Sequence, residues 1–292
     1  MRRSRLTARL GLALLLTLPP LVTGCANKEP AQIDRLLTAE ELYERGIGQL
    51  KPHRSFLFFE GVDTDDAVAT FQQIIDNFPA SEYALQAELM IGQAYFDDGR
   101  YEEASVFYED FVKTHPTHGS VPQAIYQAGM CKFNKLPTED RDQTPTKDAA
   151  GFFELLINKF PGTPFADKGQ ERLRECKGRL AEHDYAVAEF YVKQSDYQGA
   201  LNRCSAMLAN YPDSGHEAQA LYCIGEAHFH LAQPELARDA FQLLVEDYPS
   251  DPKAELARSY MARLDSLNDS LEDEAYDTRE KEIARGSLDP EY

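Results

Sequence analysis

The chain has 292 residues, 43% of them apolar and 11% aromatic, with no tryptophan, and its 30 Lys and Arg face 49 Asp and Glu for a net charge of −19. That length and apolar share are enough for a sizeable folded core. The acidic excess excludes a nucleic-acid surface, which needs clustered Lys and Arg, and it excludes electrostatic attachment to anionic lipid heads.

The first element is an apolar run that stops at a cysteine. Arg2, Arg3, Arg5 and Arg9 precede the 13 residues from Leu10 to Val22, which include Pro19 and Pro20. A membrane-spanning helix needs about 20 apolar residues, so the run is too short to span and reads as a secretory signal over residues 1–24. The junction "LVTGC" resembles the bacterial lipobox, which predicts diacylglycerol and an N-acyl chain on Cys25. Loss of four arginines and no acid would lower the net charge from −19 to −23. Acyl chains, each buried CH₂ contributing about 0.8 kcal/mol, would then provide the attachment. Ala26 follows the cysteine where an inner-membrane retention signal would carry aspartate, so the expected place is the periplasmic side of the outer membrane. Residues 25–36 read as a polar tether.

From residue 37 to 268 one skeleton recurs: an alanine, an aromatic four residues later and a proline eight beyond that. The copies are Ala67-Phe71-Pro79, Ala104-Tyr108-Pro116, Ala149-Phe153-Pro161, Ala200-Cys204-Pro212 and Ala237-Phe241-Pro249, with Cys204 the one departure. Alanine and aromatic at i and i+4 share a helical face, the small residue admits a neighbouring helix, and the proline ends the helix. Upstream, Gly92 with Tyr95, and Gly225 in the last copy, occupy the small and aromatic positions of a tetratricopeptide helix A. Gly99 after Asp97-Asp98 supplies the turn. The prolines lie 37, 45, 51 and 37 residues apart, longer than the roughly 34 of a plain repeat. The excess is assigned to the insertion "KLPTEDRDQTPTKD" and to a long helix over about Phe165–Gln194. The fold class is therefore all-α, a right-handed α-solenoid of about five tetratricopeptide repeats. Residues 269–292, with nine acidic and three basic residues, read as a solvated, partly disordered tail.

No catalytic constellation, phosphate loop or nucleophile elbow is present, and the histidines lack zinc-site spacing, so neither an enzyme nor a cofactor is expected. Cys131, Cys176, Cys204 and Cys223 are separated by 45, 28 and 19 residues, unlike a metal site. In an oxidising compartment they pair or stay as buried thiols; Cys204 and Cys223, on successive packed helices, are the favoured pair. Most of the 15 tyrosines belong to the core, the rest being available as flat contact area on a groove.

Two stretches carry a narrower resemblance. "PASEYALQAELMIGQAYFDDGRYEEASVFYEDFVKTHPTHGSVPQAIYQAGM" and "LAEHDYAVAEFYVKQSDYQGALNRC" resemble the ComL family of outer-membrane assembly lipoproteins, as do the lipobox and the five-repeat length. The acidic tail and the four cysteines of the processed chain depart from that family's pattern. The resemblance implies a non-catalytic subunit that joins the barrel-forming subunit of the β-barrel assembly complex, other assembly lipoproteins, and the C-terminal targeting segment of unfolded outer-membrane protein precursors. It places the precursor on repeats one to three, with Gln93 and Tyr95 as candidate contacts, and the assembly partner on repeats three to five. Arg203, in "GALNRC", lies one position before the core slot and so about 100° away from it. The family makes Arg203 a partner contact whose reversal to Glu would leave folding intact; the plainer reading is a solvated ion pair. The alternative function is another periplasmic repeat scaffold, a pilotin-like secretion factor or a cell-wall coordinator.

Overall fold

The computed structural model describes residues 36–54, 60–138 and 141–285. The signal segment 1–24, Cys25 and the tether up to residue 35 lie outside the described residues. The chain divides into two units, Met1–Leu37 and Thr38–Tyr292; the second holds the repeats. It runs α1 (Ala39–Gln49), β1 (His53–Arg54), β2 (Glu60–Gly61), α2 (Thr64–Asn77), α3 (Glu82–Asp97), α4 (Tyr101–Thr114), α5 (Val121–Phe133), α6 (Thr144–Lys159), α7 (Pro164–Lys193), α8 (Tyr197–Asn210), α9 (Glu217–His230), α10 (Pro234–Asp247) and α11 (Pro252–Ala284). The helices pair as α1–α2, α3–α4, α5–α6, α7–α8 and α9–α10, each packed on the next. The fold is the α-solenoid of tetratricopeptide repeats that the spacing predicts, with one small addition. Strands β1 and β2 form an antiparallel ladder in the first interhelical loop, His53 opposite Gly61 and Arg54 opposite Glu60.

Four of the five units are built on one close approach. A Cβ placed on Gly46, Gly92, Gly129 or Gly225 would lie 2.7, 3.0, 2.7 or 2.6 Å from the ring of Phe71, Tyr108, Phe153 or Phe241. All four rings are buried. The glycine thus sets the spacing between the two helices of its unit, because any side chain there would compete with the ring for one volume. The alanines at the start of the skeleton, Ala67, Ala104, Ala149, Ala200 and Ala237, are fully buried. In the fourth unit the corresponding pair is Ala188 and Cys204, a larger residue facing a smaller one, and both are buried. Cys204 is joined to Cys223 of α9, with 6.3 Å between the Cα atoms, so the favoured pairing forms.

The second helices stop in one way. Phe78, His115, Phe160, Tyr211 and Tyr248 precede the prolines, and their φ values lie between −125° and −133° with ψ between 49° and 55°. The following proline bars the α conformation to each of them. Their amides still donate to the carbonyls of Ile74, Phe111, Leu156, Met207 and Leu244, which keeps the last turn closed. Between first and second helices the chain turns through a left-handed residue: Gly99 in unit two, but Ser195 and Ala232 in units four and five. In all three, the amide of the next residue donates to the carbonyl five positions back, the 6→1 bond of a Schellman turn.

The insertion of unit three is shorter than the sequence suggests, because α6 already begins at Thr144. It is held by buried Gln143, whose Nε2 donates to the carbonyls of Thr138 and Arg141 at 2.8 and 3.0 Å and whose Oε1 accepts from Thr146 at 2.8 Å. The long helix is α7, with 30 residues. Its N-terminal half packs on α5 and α6 and its C-terminal half on α8 and α9.

Part of the tail is helical, since α11 runs unbroken across the 268/269 boundary to Ala284. Local i, i+4 bonds support it, from Asn268 to Glu272, Tyr276 to Glu280 and Lys281 to Asp277. Leu264 is its last buried apolar residue among those described, and Leu267, Leu271 and Tyr276 are exposed. Removing residues 272–292 should lower helical ellipticity while moving the melting temperature by less than about 2 °C, since little packing is lost. A larger fall in calorimetry would mean that the segment is packed.

Candidate functional site

First helices touch their successors at α1–α3, α5–α7, α7–α9 and α9–α11, while α3 and α5 are linked by the Gln93–Gln127 hydrogen bond. Second helices of successive units make no comparable contact. The first helices therefore lie on the inside of the curve, where a solenoid presents its concave binding surface. Side chains directed inward from this row form the candidate site.

On units two and three the row is amide-rich. Gln93 of α3 accepts through Oε1 from Gln127 Nε2 of α5 at 3.0 Å and from the Tyr108 hydroxyl at 3.5 Å, and its Nε2 donates to Asp97 at 2.7 Å. Tyr95 does not join it. Two residues apart on a helix is about 200° of rotation, and Tyr95 packs between α3 and α4, its ring 5.7 Å from that of Phe107 and covered by the Arg100 guanidinium at 4.3 Å. Gln93 and Tyr95 thus present different surfaces.

Arg203 of α8 bonds Asp184 of α7, Nη1 to Oδ1, at 3.1 Å. The two side chains differ sharply in environment, 39% exposed for Arg203 and 11% for Asp184. The carboxylate end of the pair is buried and the guanidinium end is partly exposed, and a buried carboxylate that loses its partner keeps its desolvation cost. Arg203 also borders a hollow of about 370 Å³ with Tyr191, Asp196, Asn202 and Ala206. In Arg203→Glu the new carboxylate would face Asp184.

On units four and five the row changes character. Tyr185 and Glu189 on α7 stand three before and one after Ala188; Tyr222 and Glu226 on α9 stand three before and one after Gly225. Two Tyr–Glu pairs in one register thus sit side by side and, with Val192, Lys193, Cys223 and Lys253, line a cavity of about 220 Å³. Burial pushes both phenols above their ordinary range, so they stay neutral. The sequence reading missed these four residues, although the shared Tyr-x-x-x-Glu register was there to find once Ala188 was aligned with the glycines.

Reactive groups are scarce. Burial raises the thiols of Cys131 and Cys176 to about 12, which keeps them protonated and unreactive at neutral pH. His228 bonds Gln233, and His230 stacks on Tyr197 with centroids 4.3 Å apart. Among the described residues no group of three or more His, Cys, Asp and Glu could hold a metal, and no helix is long and apolar enough to cross a membrane.

Residues 38–243 match the family model YfiO, described as an outer membrane lipoprotein. The chain is 28% identical over 262 residues to the outer membrane protein assembly factor BamD of Neisseria gonorrhoeae, covering 86% of this chain and 93% of that one. It is 25% identical over 251 residues to the BamD of Xylella fastidiosa strain 9a5c, covering 82% and 83% of the two chains. Among solved structures it is similar to the TPR2AB-domain complex of yeast Sti1, at a TM-score of 0.38 and 14% identity, with 85% of this chain and 93% of that chain covered.

Proposed function

Because the chain belongs to the YfiO family of outer membrane lipoproteins, we propose that it is a non-catalytic subunit of the machinery that assembles β-barrel proteins in the outer membrane. The relatives of similar length that carry the name outer membrane protein assembly factor are the observation on which this reading rests. Acyl chains on Cys25 hold it to the periplasmic side of that membrane. Units one to three take the C-terminal targeting segment of unfolded barrel precursors, and units three to five take the barrel-forming subunit, with other assembly lipoproteins joining the complex.

The inner row supports this division. Side-chain amides such as Gln93 and Gln127 offer donors and acceptors to an extended peptide without demanding one side chain, which suits a subunit that receives many precursors. At Arg203 the guanidinium already holds Asp184 through one arm, and its remaining donors can fork onto a partner carboxylate.

The test is one set of purifications from membranes through a C-terminal tag. The wild type should bring down the barrel-forming subunit, and a photo-crosslinker at Gln93 should trap precursor C-termini. Cys25→Ala should leave the membrane fraction. At position 203 the informative variant is Arg203→Lys, which keeps a cation beside Asp184 but loses the planar fork; it should lower the yield of the barrel-forming subunit about tenfold with an unchanged melting temperature. Absence of the barrel-forming subunit from the wild-type eluate would overturn the reading. Crosslinks confined to unit five would overturn the placement of the precursor.

A further inference from the structure

The doubled Tyr–Glu register of units four and five already holds a cation. Lys253, at the start of α11, places its ammonium 4.5 Å from the centre of the Tyr222 ring and 5.6 Å from that of Tyr185, and donates to the Tyr185 hydroxyl at 3.0 Å. One aromatic face, that of Tyr222, and one phenol oxygen, that of Tyr185, around an ammonium are elements by which proteins recognise cationic side chains. Glu189 and Glu226 line the same cavity, and Glu226 also accepts from the Tyr260 hydroxyl at 3.1 Å. The cavity of about 220 Å³ is open beside Lys253 with that side chain in place.

Lys253 is poorly matched to its own helix. It is the second residue of a 33-residue helix, where the aligned peptide dipoles favour anions and oppose a positive charge. Its amide is capped by Asp251 Oδ1 at 2.8 Å, as such an end requires. The Tyr222 ring of α9 and the Tyr185 hydroxyl of α7 therefore hold the ammonium in place, in a cavity that Glu189 and Glu226 also line. If a second cation took that position, Lys253 would swing to solvent and the carboxylates would remain matched.

We propose that the Tyr185–Glu189 and Tyr222–Glu226 pairs form a receptor slot for a lysine or arginine side chain of a partner protein, with Lys253 as its resident intramolecular competitor. An incoming carboxylate has weaker grounds, since it would meet Glu189 and Glu226 and would leave the ring faces facing a negative charge. The inference goes beyond the division of the solenoid proposed above and does not depend on which protein binds there.

The test uses the full chain in detergent and a fluorescein-labelled Gly-Lys-Gly-Lys-Gly peptide, read by fluorescence polarisation at about 0.15 M salt so that the general acidity of the protein is screened. Lys253→Met should tighten binding about tenfold over wild type, whereas Lys253→Arg should leave it weak. Glu189→Gln with Glu226→Gln in the Lys253→Met background should reverse the gain. Glu274→Gln with Glu280→Gln, an equal charge change on the exposed part of α11, should not. The inference is overturned if Lys253→Met binds no tighter than wild type, if the two double variants weaken binding equally, or if the Gly-Glu-Gly-Glu-Gly peptide is preferred. Because the probe is a bare peptide, failure here leaves the assembly reading untouched, and failure of the membrane purification leaves the slot untouched.

Discussion

Gly225→Ala should destabilise the protein in the wild-type background and stabilise it in a Phe241→Ala background. In the wild type the new Cβ would sit 2.6 Å from the buried Phe241 ring, and overpacking of this kind costs about 1–3 kcal/mol. Phe241→Ala alone removes a fully buried ring and should cost about 3–5 kcal/mol. With the ring gone the methyl has room, and the exchange of glycine for alanine within a helix returns up to about 1 kcal/mol. Unit four shows that the combination is viable, since Ala188 there faces Cys204 rather than an aromatic. Urea unfolding of the four proteins measures the change of sign. The same sign in both backgrounds would mean that the fit of Gly225 to Phe241 does not set the spacing of α9 and α10.

Reduction of the Cys204–Cys223 disulfide should cost about 3 kcal/mol, from the loop-closure entropy regained by the unfolded chain. The bond spans a sequence separation of 19 and ties α8 to α9, so the loss should also have a location. Amide exchange should quicken in α8 and α9 on adding dithiothreitol, while α3 and α4 keep their protection. The double variant Cys204→Ala/Cys223→Ala should behave as the reduced protein does and ignore the reductant. A melting temperature indifferent to reductant in the wild type would show that packing alone carries the junction.

The repeats were legible because one physical demand recurs along the chain: an alanine that lets a helix approach and a proline that bars the α conformation stand in all five copies, and a ring that fills the gap stands in four. The stop residues from Phe78 to Tyr248 accordingly share one backbone conformation. Features that depend on contacts between units were not legible. Asp184 looks like any helical acid in the sequence, and only the approach of α8 buries it beside Arg203. The separation of Gln93 from Tyr95 follows from helical rotation and could have been read in advance. The ladder of β1 and β2 pairs residues inside a loop that has no counterpart in the other units. The composition of the tail suits disorder, and the helix of its first part depends on charges that fall at helical spacing and bond along α11.

The length of α7 has a mechanical consequence. A plain repeat junction is a turn about which neighbouring pairs can tilt, but units three and four share a single unbroken rod of 30 residues. The next junction is cross-linked covalently by Cys204 and Cys223, and Lys253 ties α11 back to α7 and α9. Compliance is thereby displaced toward the front of the solenoid, where α2 meets α3 and α4 meets α5 through side-chain packing. A load applied to unit five is carried as a torque along α7 to unit three with little loss, and the amide row of Gln93 and Gln127 lies where the stiff segment gives way to the compliant one.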